Sequence, residues 1–508
     1  MTGILLAGTS SDAGKSLVVA GICRALADRG VRVAPFKAQN MSNNSMVVAE
    51  PDGTFAEIGR AQWLQARAAR VAPTSAMNPV LLKPGTDRRS FVVLRGQPGG
   101  TLEAGEYATG RRGLAQSAFA AYSELAAEFD LVVSEGAGSP AEINLRAGDY
   151  VNFGLAERFD LPVVVVGDID RGGILASLFG TWAIVSETDR ARLAGYVINK
   201  FRGDVSVLEP GLEELTRRTG MRGLGVIPWL DDVWLDGEDA LRVDRWVDAT
   251  PRDGLRPPRG SVAEGGPMAD ERAARLDAPL TVAVIRLPRV SNATDVDALA
   301  AEPGVEITVT TSPMAVATAD LVIVPGSRST VSDLTWLQER GLADALVARA
   351  RRGRPVLGIC GGFQMLCREI HDEVESGTGS VDGLGLVDGV VRFRSEKTLG
   401  LPTGTWRGHS VGGYVIHHGR VELGPTAEPF LDGATDGVVW GTLWHGALEH
   451  DSFRRAWLTQ VAVTLGSAWQ PQPGPGFAEL REAMLDRLGR AINEHVDLDT
   501  LIDLARRG

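Results

Sequence analysis

A chain of 508 residues is too long for one ordinary hydrophobic core and implies two or three domains. Its formal net charge of −12 excludes the clustered Lys and Arg footprint of a nucleic-acid binder and favours a small-molecule substrate. The three cysteines, Cys23, Cys360 and Cys367, have no metal-type spacing, no apolar run reaches membrane-spanning length, and no charged leader opens the chain; a cytoplasmic protein with no membrane partner is expected.

The apolar run Ile4 to Ala7 leads into Gly8-Thr-Ser-Ser-Asp-Ala-Gly-Lys-Ser16 and then a helical pattern through Ala27. Strand, Gly-rich turn and helix make a phosphate cradle, in which backbone N–H groups and the helix N-terminus face an anion. Gly14 belongs to the turn, Lys15 neutralises phosphate charge, and Ser16 ligands magnesium. Five residues rather than four separate Gly8 from Gly14, and the longer loop resembles that of dethiobiotin synthetase and its relatives, which use ATP to activate carboxylates.

Further apolar runs each deliver a polar cluster: Val31 to Phe36 brings Lys37 to Asn44, Leu131 to Ser134 brings Glu135 to Gly138, Leu161 to Val166 brings Gly167 to Gly173, and Ala194 to Ile198 brings Asn199 to Gly203. Such strands, separated by helical stretches, imply a mostly parallel sheet whose ligands collect beyond the strand carboxyl ends. Glu135 is a hard oxygen ligand for magnesium. Lys37 is placed to hold the transferred phosphoryl group. Asp168 and Asp170 suit either magnesium and substrate or simple turn formation, and Asn199 either recognises the nucleotide base or caps a turn. Glu57 to Gln65 reads as a helix, whose polar residues Glu57, Arg60, Gln62 and Gln65 form either a solvated face or one wall of a polar ligand site ahead of Asn78 and Lys83.

Together Lys37-Ala-Gln-Asn-Met-Ser-Asn-Asn-Ser45, Glu57-Ile-Gly-Arg-Ala-Gln62, Asn78-Pro-Val-Leu-Leu-Lys-Pro84, Glu135 to Asn144 and Asp168-Ile-Asp-Arg-Gly-Gly173 resemble the cobyric acid synthase family, glutamine-dependent amidases of cobalamin biosynthesis. The motifs occur in order and at family spacing.

From about Asp231 to Asp277 apolar periodicity gives way to Pro, Gly and charge, which reads as a boundary. The expected organisation is an ATP-binding amide synthetase domain over 1–230, a linker over 231–278, a glutamine amidotransferase domain over 279–460 and a helical extension over 461–508. The second domain opens with strands at Leu280 to Ile285, Val305 to Val309 and Leu321 onward, so it too is α/β. Its focus is Pro355-Val-Leu-Gly-Ile-Cys-Gly-Gly-Phe-Gln-Met-Leu366. Gly358, Cys360 and Gly362 make a nucleophile elbow, which strains the nucleophile's backbone and puts the thiol at a helix N-terminus, where its pKa falls. Cys23 and Cys367 lie in apolar helical patterns and read as inert.

A thiolate needs a base, and of seven histidines His445 stands where the run Val438 to Trp444 ends. His417 and His418 also lie at a strand end and read as structural or interdomain. Phe477 to Ile492 reads as an amphipathic packing helix.

This half resembles the class I glutamine amidotransferases of the cobyrinic and cobyric acid type. The resemblance implies a P-loop parallel-sheet domain followed by an amidotransferase α/β domain. It further implies that Cys360 attacks the glutamine amide, His445 shuttles the proton, and N–H groups of Gly361 and the Gly326-Ser327 turn form the oxyanion hole. Ala447 stands where most class I enzymes carry a Glu; the cobyric acid type lacks it, which leaves the orienting partner of His445 open, with Glu449 at the wrong spacing. The implied reaction is ATP-dependent amidation of the b, d, e and g carboxylates of adenosylcobyrinic acid a,c-diamide. ATP with magnesium is co-substrate, glutamine the nitrogen donor, the adenosylated corrinoid substrate, and no prosthetic group is bound. Ammonia must pass between the sites unprotonated, so a shielded path is expected. The alternatives are a sister amidase acting on the a and c carboxylates or on a cell-wall lipid precursor, and a non-catalytic nucleotide-binding regulator.

Overall fold

The computed structural model describes residues 2–85, 89–103, 111–230, 233 and 279–507. Its first unit comprises Met1–Ser42, Val48–Glu238 and Arg481–Gly508, and its second Asn43–Val47 and Asp239–Leu480. The expected linker over 231–278 lies, apart from Val233, outside the described residues.

The first unit is built on β1 (Gly3–Gly8), α1 (Lys15–Asp28), β2 (Val33–Phe36), α2 (Arg60–Ala68), β3 (Leu131–Glu135), β4 (Val163–Asp168), β5 (Leu193–Phe201) and β6 (Arg222–Pro228). The six strands form one sheet in the order β6-β5-β4-β1-β3-β2, with every pairing parallel. Its strands are apolar almost throughout because both faces are covered. Leu5, Ala7, Val132, Val163 and Val165 enter one core, and their neighbours Ile4, Leu6, Val133, Val164 and Val166 the other. A smaller sheet carries Gln39–Met41, Val80–Pro84, Arg89–Leu94 and Gln97–Glu103.

One expected helix is divided. Glu57 and Ile58 belong to the strand Phe55–Gly59, and the helix starts at Arg60 because Gly59, extended at φ −62° and ψ 139°, turns the chain. The polar face of α2 is not solvated: Arg60, Gln62 and Gln65 are all buried.

The second unit is built on β7 (Leu280–Ile285), β8 (Val305–Thr310), β9 (Leu321–Val324), α3 (Thr330–Glu339), β10 (Val356–Ile359), α4 (Gly361–Leu366), β11 (Val415–Leu423), β12 (Glu428–Phe430), β13 (Gly433–Asp436) and β14 (Val439–Thr442). Its main sheet runs β8-β7-β9-β10-β14-β13-β12. The first five strands are parallel, and the β14-β13-β12 edge is antiparallel. The elbow at Cys360 thus follows a central strand, and His445 follows its neighbour. A second sheet joins Gly379–Asp382, Glu369–Asp372, Gly389–Gly400 and β11.

The penultimate helix of the chain, Phe477–His495, sends Met484, Leu485, Leu488 and Ile492 into the core that α1 lines. Gly21 of α1 permits the approach, since a Cβ there would stand 2.5 Å from Ile492 Cγ1 and 2.9 Å from Leu488 Cγ. Leu488→Ala is therefore expected to destabilise the first unit by roughly 2–5 kcal/mol. A lowered thermal unfolding midpoint together with faster proteolysis of that helix checks it.

Candidate active sites

In the first unit the phosphate loop is shaped by steric need. Gly14 is left-handed at φ +85°, and a Cβ there would lie 2.3 Å from Asn199 Nδ2; one on Gly8 would lie 2.8 Å from Lys15 Nζ. The Lys15 ammonium curls over the loop and donates to Ser10 O at 2.9 Å and Ser11 O at 3.2 Å. The N-terminal end of α1, the positive end of its dipole, faces the same place.

Beside it lies Glu135, fully buried at the end of β3. Its Oε1 accepts from the Ser16 hydroxyl at 2.7 Å and from Lys37 Nζ at 2.7 Å, and its Oε2 accepts from Gln65 Nε2 at 2.8 Å. Ser16 and Glu135 supply the hard oxygens that magnesium prefers, and one carboxylate with a hydroxyl suits an ion that otherwise takes phosphate oxygens and water. The donor set fits the group.

Asn199 spends its side chain on the backbone: Nδ2 donates to Ala13 O at 3.0 Å and Oδ1 accepts from Lys200 N at 2.9 Å. This geometry supports its turn-capping reading, as a brace of the phosphate loop. Asp168 accepts from Lys200 Nζ at 2.6 Å and from Asp170 N at 2.9 Å, which favours the turn-forming reading for that pair. Buried polar residues line the α2 side of the unit, with Lys83 Nζ on Glu57 Oε1 at 2.6 Å, Asn40 Nδ2 on Gln62 Oε1 at 3.0 Å and Asn78 Oδ1 accepting from Gly59 N at 3.0 Å.

In the second unit Cys360 sits at φ 51° and ψ −111°, a conformation that few non-glycine residues adopt. Its neighbours must be glycine: a Cβ on Gly362 would stand 2.0 Å from Val324 O, and one on Gly361 2.8 Å from Ser327 N. The latter brings Gly361 against the Gly326-Ser327 turn. A Cβ on Gly326 would lie 3.0 Å from His445 Cε1, so turn, elbow and imidazole share one pocket. The turn is braced from α3, where Asp333 accepts from Ser327 Oγ at 2.6 Å. Burial raises the Asp333 pKa to about 6 against the lowering effect of that bond.

His445 is fully buried, and Asp295 orients it, its Oδ2 lying 2.7 Å from Nδ1 and its Oδ1 accepting from Gly446 N at 2.8 Å. Tyr414 stacks on the ring, 5.2 Å between centroids at 24°, and exchanges two backbone hydrogen bonds with His445. The other nitrogen, Nε2, makes no hydrogen bond of ordinary geometry and is left to Cys360. Burial works against the imidazolium, but the charges of Asp295 and Cys360 and hydrogen bonds to both outweigh it, raising the pKa to about 10. His445 is therefore imidazolium at neutral pH, with its Nε2 proton turned to the Cys360 sulfur. His417, in contrast, is pushed down to about 4, first by burial and further by His445. Burial also drives the Cys23 and Cys367 thiols upward, the latter to about 12.

Asp295 escaped the sequence reading. It stands 150 residues from His445, in a short turn (Ala293–Val296) without a recognisable motif. Gln65 was visible as a polar helix residue, but its bond to Glu135 was not.

Comparison with known proteins places both halves. Residues 4–242 match the CobQ/CobB/MinD/ParA nucleotide binding domain family, and residues 281–453 the CobB/CobQ-like glutamine amidotransferase domain. A protein of Cutibacterium acnes named cobyric acid synthase is 60% identical over 100% of both chains. One of the same name from Mycolicibacterium gilvum is 54% identical over 100% of this chain and 97% of its own.

Two outcomes follow from the geometry. Glu135→Ala removes the carboxylate paired with the buried Lys37 ammonium and is expected to cost about 3–5 kcal/mol, read as a fall in the thermal midpoint. Asp295→Asn removes the charge that holds His445 protonated. The imidazolium then lacks the largest of the effects that raise its pKa, and its proton is lost at lower pH than in the wild type. Glutamine hydrolysis in the variant should fall about 100-fold or more, read as initial rates of ammonia release.

Proposed function

Because the chain belongs to the cobyric acid synthase family, we propose that it amidates the b, d, e and g carboxylates of adenosylcobyrinic acid a,c-diamide to give adenosylcobyric acid. ATP activates each carboxylate and glutamine supplies each nitrogen. One observation carries the reading: relatives of that name match from end to end, through the phosphate loop and the thiol elbow alike.

In the first unit the substrate carboxylate attacks the γ-phosphorus of ATP, forming an acyl phosphate and releasing ADP. Lys15 and the loop N–H groups offset the phosphate charge, and Lys37, 2.7 Å from Glu135, holds the transferred group. Magnesium, held by Ser16 and Glu135, would supply further charge neutralisation on the phosphates. Asn199 keeps the loop in shape.

In the second unit the Cys360 thiolate attacks the amide carbon of glutamine. The oxyanion that forms is met by the N–H groups of Gly361 and the Gly326-Ser327 turn. His445 gives its Nε2 proton to the departing ammonia and then takes one from water, which hydrolyses the glutamyl thioester to glutamate. Ammonia adds to the acyl phosphate, phosphate leaves, and the amide remains. A reducing cytoplasm suits this chemistry, since all three cysteines are free. Among the described residues no helix is long and apolar enough to cross a membrane.

The test is mass spectrometry of adenosylcobyrinic acid a,c-diamide after incubation with the protein, ATP, magnesium and amide-labelled glutamine. Four labelled nitrogens per product are expected. An unlabelled corrinoid alongside Cys360-dependent glutamine hydrolysis would overturn the substrate and leave the two-site chemistry standing.

A further inference from the structure

Beyond the groups assigned to glutamine hydrolysis, the turn that lies against the elbow carries an ion pair that the reaction does not use. Arg328 follows Ser327 directly, in the same turn that lies against Gly361, and its N–H donates to Arg289 O at 2.8 Å. Its guanidinium Nη1 is 2.5 Å from Glu375 Oε1. Glu375 in turn sits on a rigid tip. The buried carboxylate of Asp372 accepts from the N–H groups of Val374 at 3.0 Å, Glu375 at 2.8 Å and Ser376 at 2.9 Å, holding the loop beyond the strand Glu369–Asp372. Both side chains are mostly covered but reach the surface, at 12% exposure for Arg328 and 14% for Glu375.

A third group lies near the pair. His418, whose Nδ1 is 3.0 Å from Arg394 O, is close enough to feel both of its charges. Its neighbour Gly419 touches Gln364, four residues beyond the nucleophile: a Cβ there would lie 2.6 Å from Gln364 Nε2. Arg328 is thus tied to the elbow through Ser327, and His418 through Gly419.

We propose that Arg328 and Glu375 form the clamp that recognises the α-carboxylate and α-ammonium of glutamine. With the amide carbon at Cys360, these two groups lie only two methylenes away, and Arg328 directly follows the Ser327 that lies against Gly361. A zwitterion and an ion pair are complementary. When glutamine enters, Arg328 takes the carboxylate and Glu375 the ammonium, so charges are exchanged between partners and none is left unpaired in a poorly hydrated place. A free amide that lacks either charge would break the existing pair without replacing it. The clamp therefore selects α-amino-acid amides over other primary amides, while the fixed positions of Ser327 and Asp372 set the reach to the sulfur.

The proposal rests on the glutaminase reading and is tested on the full-length protein by initial rates of ammonia release. Three substrates are compared: L-glutamine, glutaramic acid, which lacks the α-ammonium, and L-glutamine α-methyl ester, which lacks the α-carboxylate. Glu375→Gln is expected to raise KM for L-glutamine about 10- to 100-fold, as loss of a hydrogen bond to a charged group does, with kcat within about threefold. It should leave kcat/KM for glutaramic acid within about twofold of the wild type. Arg328→Gln should mirror this, penalising L-glutamine and glutaramic acid and sparing the ester.

Equal losses on all three substrates, or unchanged KM values, would reduce the pair to a clip on the loop and overturn the proposal. So would a variant whose Cys360 no longer reacts with iodoacetamide, since the pair would then be holding the elbow rather than the substrate. If the wild type releases no ammonia through Cys360, the glutaminase reading itself fails. If it does and the variants do not discriminate, only the clamp fails.

Discussion

A carboxylate taken out of water has to be surrounded by donors or cations, and in each unit the reacting groups are arranged around one such carboxylate. Glu135 is fully buried and Asp295 nearly so. Around the first gather a hydroxyl, an ammonium and an amide, from Ser16, Lys37 and Gln65. Around the second gather an imidazole and a backbone N–H, from His445 and Gly446. The same cost has opposite uses. In the first unit it gathers a hydroxyl, an ammonium and an amide around one carboxylate, whereas in the second it keeps a proton on a histidine beside a cysteine.

The second use depends on environment more than on residue type. His417 and His445 lie in one unit and influence one another, yet burial without a counter-charge pushes the first down to about 4, and the Asp295 and Cys360 charges, working against the same burial, raise the second to about 10. A neutral His417 spares the His445 imidazolium a like charge. Pairs of titratable groups driven apart in this way mark division of labour in a site. Burial likewise raises the thiols of Cys23 and Cys367, at Cys367 against a smaller lowering by Arg368.

Backbone geometry sets the distances. A strained Cys360 with glycine on its C-terminal side lets the elbow touch the Gly326-Ser327 turn, and the absence of a Cβ at Gly326 lets His445 close over both. The phosphate loop obeys the same logic through Gly8 and Gly14. Strain of this kind persists only where surrounding packing over-determines it. Here the central parallel strands provide that packing, since they are buried on both faces.

Much of this was legible in the chain itself. Apolar runs ending in polar clusters marked the parallel strands, and Gly-Lys-Ser and Gly-x-Cys-x-Gly marked the two turns, because each depends on local backbone geometry that neighbouring residues dictate. The division of Glu57 to Gln65 between a strand and a helix was not legible, since one extended glycine decides it. Nor was the burial of the polar face of α2, which depends on what packs against it. The partner of His445 was least accessible of all. Any buried imidazolium needs a counter-charge, a need that the missing Glu at Ala447 made visible, but which of the chain's acidic residues meets it depends on which turn the fold brings to the ring. Local motifs therefore determined the reacting groups, and only tertiary packing decided their protonation, because a pKa is set by burial and by charges that arrive from distant parts of the chain.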